Sequence, residues 1–266
     1  MIQSKIQNRI TRLFEKKDGQ ILSIFFTAGY PELDNTEQII LELDKAGADL
    51  IEVGIPFSDP IADGPTIQAS NQVALQNGIT LEQIFAQLEG IRKKTEIPIL
   101  LMGYVNPVLQ YGLEKFCKDA ARVGVDGVIL PDLPMQEFLD EYSDLFARHQ
   151  LSNIFLVTPQ TTEDRIRLID KHSQGFIYAV STDSTTGKTE GFGEKETAYF
   201  QRLKEMNLEN PFLIGFGISN HETFSQATSF AQGAIIGSAF IKALKNGGVS
   251  TGNIQKFINR IRRNVN

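Results

Sequence analysis

The chain has 266 residues, of which 41% are hydrophobic and 22% charged, and it contains no apolar run long enough to cross a bilayer. Its net charge of −6 argues against a general affinity for nucleic acid or for membrane surfaces. A single cysteine and three scattered histidines exclude a disulfide framework and predict a cytoplasmic protein without a bound metal ion.

Short apolar segments alternate with segments of helical periodicity along the whole chain. The predicted strands are Gln20–Thr27, Leu50–Ile55, Ile97–Met102, Gly127–Leu130, Asn153–Val157, Gly175–Val180, Pro211–Gly215 and Gly233–Ile236. The predicted helices are Ile6–Lys17, Asn35–Ala46, Leu113–Val123, Gln136–His149, Thr162–His172, Glu194–Met206, His221–Ala231 and Gly252–Arg263, and another helix starts at Pro65.

This alternation indicates an α/β protein with a parallel sheet. Eight strands predict a single (β/α)8 TIM barrel over residues 1–266, preceded by an extra N-terminal helix. The alternative is an open doubly wound sheet. Such a sheet usually shows a GxGxxG turn after its first strand, whereas this chain has TAGYP there.

The segments 45–56 and 122–131 repeat one pattern: a helix ends at glycine, an aspartate follows, and an apolar strand leads to proline. Glycine at a helix end adopts the left-handed conformation that starts the turn into the next strand. Two similar units agree with a barrel built from repeated modules.

The densest group of candidate catalytic residues follows the second strand. Because side chains alternate along a strand, Glu52 is predicted to face the barrel interior, where burial raises the pKa of a carboxyl group. Asp59 and Asp63 follow in a proline-rich loop. The alternatives are a structural Glu52 that is held by backbone amides and an Asp63 that only caps the next helix.

Two glycine-rich loops, after the seventh and eighth strands, predict a phosphate site. Gly217, Gly237 and Ser238 would let backbone amides approach an anion, although tight turns alone also explain such glycines. The polar segment Ser181–Glu194 after the sixth strand is predicted to be a lid, with an ordinary surface loop as the alternative.

Residues 52–68, EVGIPFSDPIADGPTIQ, resemble the signature of the tryptophan synthase alpha chain family, and the segments FTAGYP, LMGYVNP, GFGIS and GSAFIK occur in the expected order. The resemblance implies a TIM-barrel lyase that cleaves indole-3-glycerol phosphate to indole and glyceraldehyde 3-phosphate. It also implies that this chain needs no cofactor and works in an α2β2 complex, in which the partner beta chain carries pyridoxal phosphate.

By position, Glu52 and Asp63 match the two catalytic carboxylates of that family, and Asp59 matches its partner interface. The residues expected around the indole and phosphate groups are Phe25, Tyr178, Thr186, Gly187, Phe216, Gly217, Gly237 and Ser238.

Cleavage of the carbon–carbon bond requires an acid for indole carbon 3, a base for the side-chain hydroxyl and an anion near the ring N–H. We assign the proton transfers to Glu52 and the N–H contact to Asp63. The alternatives are a stand-alone lyase that releases indole, a non-catalytic subunit that activates a beta chain, and a sugar-phosphate epimerase or isomerase. Metal ligands on several strands, typical of an epimerase, are absent from the sequence pattern.

Overall fold

The computed structural model describes residues 6–181 and 192–263, which form one parallel sheet surrounded by helices. The strands are β1 (Ile21–Thr27), β2 (Leu50–Gly54), β3 (Ile99–Met102), β4 (Gly127–Ile129), β5 (Ser152–Asn153), β6 (Leu156–Val157), β7 (Ile177–Val180), β8 (Phe212–Gly215) and β9 (Gly233–Ile236). Their order in the sheet is β5-β4-β3-β2-β1-β9-β8-β7-β6.

The two ends of this sheet are two halves of one chain segment, and therefore the sheet closes into a barrel. Ser152–Asn153 pairs with β4 and Leu156–Val157 pairs with β7. Between them, the amide of Ile154 donates to Val128 O at 3.0 Å, and Phe155 O accepts from the amide of Tyr178 at 2.9 Å. The prediction of one continuous fifth strand, Asn153–Val157, is wrong in this detail, because the segment changes its pairing partner midway.

Side chains alternate between the interior and the outside of the barrel, as predicted for the second strand. Leu50 belongs to the cluster that fills the interior, whereas Ile51, Val53 and Ile55 belong to the layer between strands and helices. The interior cluster consists of Ile10, Ile21, Leu50, Leu100, Ile129, Ile154, Phe176, Tyr178, Leu213 and Ile235. Glu52 has the same parity as Leu50 and therefore faces the interior.

Helices cover the outside of the barrel. They are α1 (Arg9–Lys16), α2 (Thr36–Ala46), α3 (Pro65–Gln76), α4 (Leu81–Leu88), α5 (Val105–Tyr111), α6 (Leu113–Val123), α7 (Met135–Glu137), α8 (Ser143–Arg148), α9 (Glu163–His172), α10 (Glu194–Glu205), α11 (His221–Thr228), α12 (Ser238–Gly247) and α13 (Thr251–Arg262). A single π-helical segment, Phe138–Tyr142, joins α7 to α8. The sequence analysis missed α4, α5 and α12. No helix within the described residues is long and apolar enough to cross a bilayer.

The helix α1 packs against the end of the barrel where the strands begin, and the predicted extra N-terminal helix is thus confirmed. Its residue Ile10 is buried among the interior side chains. Asn8 caps the helix and also donates from Nδ2 to Asp126 O at 2.7 Å and to Ser152 Oγ at 3.0 Å. The contacts of α1 therefore lie at the barrel end opposite to the carboxyl ends of the strands, where barrel enzymes carry their chemistry.

The repeated pattern noted in the sequence places two aspartates at this same end. Asp49 forms ion pairs with Lys17 and Arg262. Asp126 forms ion pairs with Arg9 at 3.1 Å and Arg92 at 2.8 Å. In both modules, the aspartate after the helix-ending glycine thus connects neighbouring helical segments to the barrel through ion pairs.

Removal of the Asp126 carboxylate is expected to destabilise the fold, because Arg92 and the amide of Ile99 would lose a buried partner. We expect Asp126→Ala to lower the free energy of unfolding by about 3 kcal/mol in urea titrations. The control is Asp140→Ala, which removes an exposed carboxylate bonded to Gln136 and should change stability by less than about 0.5 kcal/mol. Equal effects of the two substitutions would contradict this role of Asp126.

Candidate active site

Glu52 is fully buried inside the barrel, on β2. Its Oε1 accepts a hydrogen bond of 2.7 Å from the hydroxyl of Ser23, whereas its buried Oε2 has no hydrogen-bond partner in the described part of the chain. Burial raises the pKa of Glu52 to about 8, and the hydrogen bond from Ser23 opposes this rise. No backbone amide of the described residues holds this carboxyl group, and because burial raises its pKa the group is largely protonated at neutral pH.

Asp63 lies in the loop between β2 and α3. Burial raises its pKa to about 6, and hydrogen bonds from Tyr104 and Asn71 act in the opposite direction. The Nδ2 atom of Asn71 lies 3.5 Å from its Oδ2 atom. The helix α3 is capped by Gly64 without a side-chain hydrogen bond, and so Asp63 does not serve as its cap.

Tyr104 fixes the loop that carries Asp63. Its hydroxyl accepts a hydrogen bond of 3.0 Å from the amide of Ala62, and its ring packs on Phe57 with a centroid distance of 5.2 Å. Tyr104 precedes α5, at the carboxyl end of β3. Side chains from two neighbouring βα units therefore meet at the carboxyl group of Asp63.

Both carboxyl groups, those of Glu52 and Asp63, affect the hydroxyl of Tyr178. Burial raises the pKa of the Tyr178 hydroxyl well above its usual range, and the negative charges of Glu52 and Asp63 add to this effect. The hydroxyl lies so close to Gly215 that a Cβ atom added to this glycine would collide with it. The two carboxyl groups are therefore both within electrostatic range of this hydroxyl.

Phe25 connects this region with the glycine-rich loop after β9. Phe25 pairs with Glu52 in the register of β1 and β2. A Cβ atom placed on Gly54 would lie 2.6 Å from Cζ of Phe25, and one placed on Gly237 would lie 3.3 Å from Cδ1. The ring of Phe25 thus lies between the carboxylate strand and the loop predicted to bind phosphate.

The loops after β8 and β9 lie near the same end of the barrel. Phe216 and Gly217 have φ angles of 68° and 76°, and Ser181 Oγ donates to Phe216 O at 2.9 Å. The ring centroids of Phe216 and Tyr178 are 6.3 Å apart. Gly237 is the N-cap of α12 and supplies no side chain to the first amides, while Ser238 is exposed. The amide of Phe240 donates to Gly237 O at 2.9 Å, and the amides expected to meet an anion are therefore those of Ser238 and Ala239.

Two predicted substrate contacts, Thr186 and Gly187, and most of the predicted lid Ser181–Glu194 lie outside the described residues. Asp59 is exposed on the loop after β2, close to Ile61, whose side chain is 88% exposed. The structure therefore places Phe25 beside Glu52 in the strand register and Tyr178 within electrostatic range of both carboxyl groups, and it leaves Asp59 exposed.

The described residues show no metal centre, and a cavity lies away from the two carboxyl groups. In residues 6–181 and 192–263, no group of three or more His, Cys, Asp or Glu side chains has the arrangement of a metal site. A cavity of about 300 Å³ lies outside the barrel, between Pro56, α4 and α5, and neither Glu52 nor Asp63 lines it.

The sequence analysis missed three residues that contact the carboxyl groups: Ser23, Asn71 and Tyr104. Ser23 has a detectable signal, because it is a polar residue in the middle of the apolar strand ILSIFFT and shares the inward parity of Phe25. Asn71 and Tyr104 reach Asp63 from separate helical segments, and their positions along the chain do not indicate this contact.

Comparisons with known proteins identify the family of this chain. Residues 12–265 match the family model described as tryptophan synthase alpha chain. The chain belongs to the tryptophan synthase alpha chain family. It is 56% identical over 255 residues to the tryptophan synthase alpha chain of Flavobacterium johnsoniae, covering 96% of this chain and 100% of the relative. It is 50% identical over 256 residues to that of Parabacteroides distasonis, with coverage of 96% and 100%.

The structural comparisons confirm the predicted barrel fold of this family. The crystal structure of tryptophan synthase subunit alpha from Legionella pneumophila superposes with a TM-score of 0.87 at 34% identity, covering 97% of this chain and 98% of that one. The tryptophan synthase complex from Pyrococcus furiosus matches with a TM-score of 0.82 at 33% identity, covering 91% of this chain and 98% of that one.

The raised pKa of Glu52 has a consequence for stability that can be measured. Between the ordinary value of 4.5 and about 8, the folded chain holds a proton that the unfolded chain has lost, and stability therefore falls as pH rises through this range. Glu52→Gln removes this dependence. As pH rises from 4.5 to 8, we expect the stability of the variant relative to the unsubstituted chain to increase by about 5 kcal/mol.

Urea unfolding at a series of pH values measures this difference. The matched control is Glu163→Gln, on the exposed side of α9, which should leave the pH dependence unchanged. A pH dependence that is the same in Glu52→Gln and in the unsubstituted chain would show that Glu52 ionises normally in the fold.

Proposed function

We propose that this chain, acting as one domain over residues 1–266, is the alpha subunit of tryptophan synthase and cleaves indole-3-glycerol phosphate to indole and glyceraldehyde 3-phosphate. The observation that carries the proposal is the fully buried carboxyl group of Glu52, with Oε2 unpartnered among the described residues and with Asp63 in the loop after the same strand, in a chain of the alpha chain family. Two carboxyl groups at one place suit a reaction that moves protons at both ends of the breaking bond.

Glu52 is the proton-transfer residue in this proposal. At neutral pH its carboxyl group is largely protonated, and it donates its proton to indole carbon 3. The pair of electrons of the C2–C3 double bond forms the new C–H bond, and the ring nitrogen becomes an iminium. The carboxylate of Glu52 then accepts the proton of the side-chain hydroxyl, the C–C bond breaks, and its electrons return to the ring nitrogen.

Asp63 is ionised above its pKa of about 6 and accepts a hydrogen bond from the ring N–H. Its negative charge then lies beside the nitrogen on which positive charge develops. The two carboxyl groups thus differ in protonation state because their surroundings differ, one fully buried and the other half-buried.

The remaining contacts position the two ends of the substrate. Phe25, Tyr178 and Phe216 offer aromatic faces for the indole, and the backbone of Gly217, Gly237 and Ser238 holds the phosphate, as loops 7 and 8 do in many barrels. Thr186 and Gly187 complete the closure over the ligand in this proposal. Binding energy from the phosphate, far from the reacting bond, orients the indole carbon at Glu52.

The partner is a tryptophan synthase beta chain in an α2β2 assembly, with pyridoxal phosphate in the beta chain and no cofactor in this one, and the complex works in the cytoplasm. Asp59 and the exposed Ile61 lie on the loop that also bears Asp63. A partner that contacts this loop is therefore able to bias the position of a catalytic group.

Two alternative hypotheses differ from this proposal in the effect that they expect of the beta chain on activity. A stand-alone lyase releases indole at the same rate with and without a beta chain, and a non-catalytic subunit releases none. We expect slow indole release by the isolated chain and a rate increase on addition of the beta chain. Indole formation from indole-3-glycerol phosphate, with the purified chain alone and in the complex, separates the three.

Substitution of either carboxylate is expected to abolish most of this activity. In the complex, Glu52→Gln and Asp63→Asn should each lower kcat for indole release by about 10²–10⁴-fold. The control is Asp140→Asn, an exposed carboxylate on the π-helical segment, which should retain normal turnover. Near-normal kcat in either active-site variant, with the fold intact, would remove that residue from the mechanism.

A further inference from the structure

Ser23 is the one hydroxyl that contacts the carboxyl group of Glu52 in the described part of the chain. It lies on β1, is fully buried, and pairs with Leu50 in the strand register, one inward position below the pair Phe25–Glu52. Its Oγ donates to Oε1 of Glu52 at 2.7 Å. The side chain of Glu52 therefore bends back along the barrel interior to meet a donor on the neighbouring strand.

This contact makes the two oxygen atoms of the carboxyl group unequal. Oε1 is occupied by the hydroxyl of Ser23, whereas Oε2 is buried and has no hydrogen-bond partner among the described residues. A buried polar atom without a partner costs about 1–3 kcal/mol, and the fold retains it here. Such an atom is suited to a partner that arrives with the substrate.

We propose that Ser23 is a positioning residue that holds Oε1 of Glu52 and so presents Oε2 as the atom that exchanges the proton with the substrate. This inference rests on the proposed role of Glu52. In the step concerned, the O–H bond at Oε2 breaks, the C–H bond at indole carbon 3 forms, and the carboxylate keeps the electron pair. The charge that appears on the carboxylate is shared with Oε1, where the hydroxyl of Ser23 already donates.

The hydrogen bond also sets the acid strength of Glu52. A donor to a carboxylate favours its ionised form, and Ser23 is the group that lowers the pKa of Glu52 against the effect of burial. The other titratable groups of this region are Asp63 and Tyr178 on β7, and the charges of Glu52 and Asp63 both raise the pKa of the Tyr178 hydroxyl. Without the hydroxyl of Ser23, Glu52 becomes a weaker acid with a less restricted side chain.

The test compares Ser23→Ala with the hydroxyl-retaining variant Ser23→Thr, both in the complex with the beta chain. We expect Ser23→Ala to lower kcat about tenfold, the scale of one hydrogen bond to a charged group, and to change KM less than about twofold. The limb of the kcat–pH profile that reports Glu52 should move to higher pH, because Glu52 holds its proton more tightly. Ser23→Thr should restore most of kcat and the position of that limb.

The control is Ser173→Ala, which removes another buried hydroxyl, one bonded to Ile169 O at the end of α9 and remote from Glu52. It should leave kcat and the pH profile unchanged. Ser23→Cys, of nearly equal size but with a weak donor, provides a second measurement if Ser23→Ala does not fold, and it should shift the limb in the same direction.

The outcomes are distinguishable. An unchanged pH profile in Ser23→Ala, or a loss of activity that Ser23→Thr does not restore, would reduce Ser23 to a packing residue and overturn the inference, even if Glu52→Gln is inactive. Normal turnover of Glu52→Gln would instead overturn the proposed function on which the inference rests.

Discussion

The burial of one carboxyl group inside an otherwise apolar barrel is the constraint on which the site depends. An ionised glutamate in that environment is costly, and the fold responds by keeping Glu52 protonated and by giving it one hydroxyl partner, Ser23. The same burial provides an acid at neutral pH without a metal ion or cofactor at this position. Asp63, less buried and better supplied with donors, keeps its charge. The burial that makes Glu52 an acid at neutral pH therefore also costs stability.

The stabilising ion pairs and the candidate catalytic residues lie at opposite ends of the barrel. At the end where strands begin, Asp49 and Asp126 are paired with lysine and arginine side chains, and α1 covers the interior. At the other end, Tyr178 and Phe25 surround a carboxyl group that has no cationic partner among the described residues. The ion pairs at the end where the strands begin stabilise the fold. The other end can therefore leave Glu52 without a charged partner and remain open to a ligand.

Much of this arrangement is predictable from sequence, because simple periodicity controls it. The parity of β2 predicts that Glu52 faces inward, and the glycine–aspartate pattern predicts the repeated modules. The division of the fifth strand and the short helix α5 were not predictable: the first depends on which neighbour each half meets, and the second contains Val105 and Pro107, which weaken the helical signal. Contacts of Tyr104 and Asn71 with Asp63 arise only when separate elements pack together.

The central claim is that both carboxyl groups and the amides of α12 serve one ligand. A crystal structure with an unreactive analogue, an indole ring linked through three carbons to phosphate and lacking the hydroxyls, tests it most directly. The account predicts one bound molecule, with its ring N–H on Asp63, carbon 3 facing Oε2 of Glu52 and its phosphate on the amides at Gly237 and Ser238. An analogue bound with its phosphate elsewhere, or with its ring outside the barrel, would contradict the account.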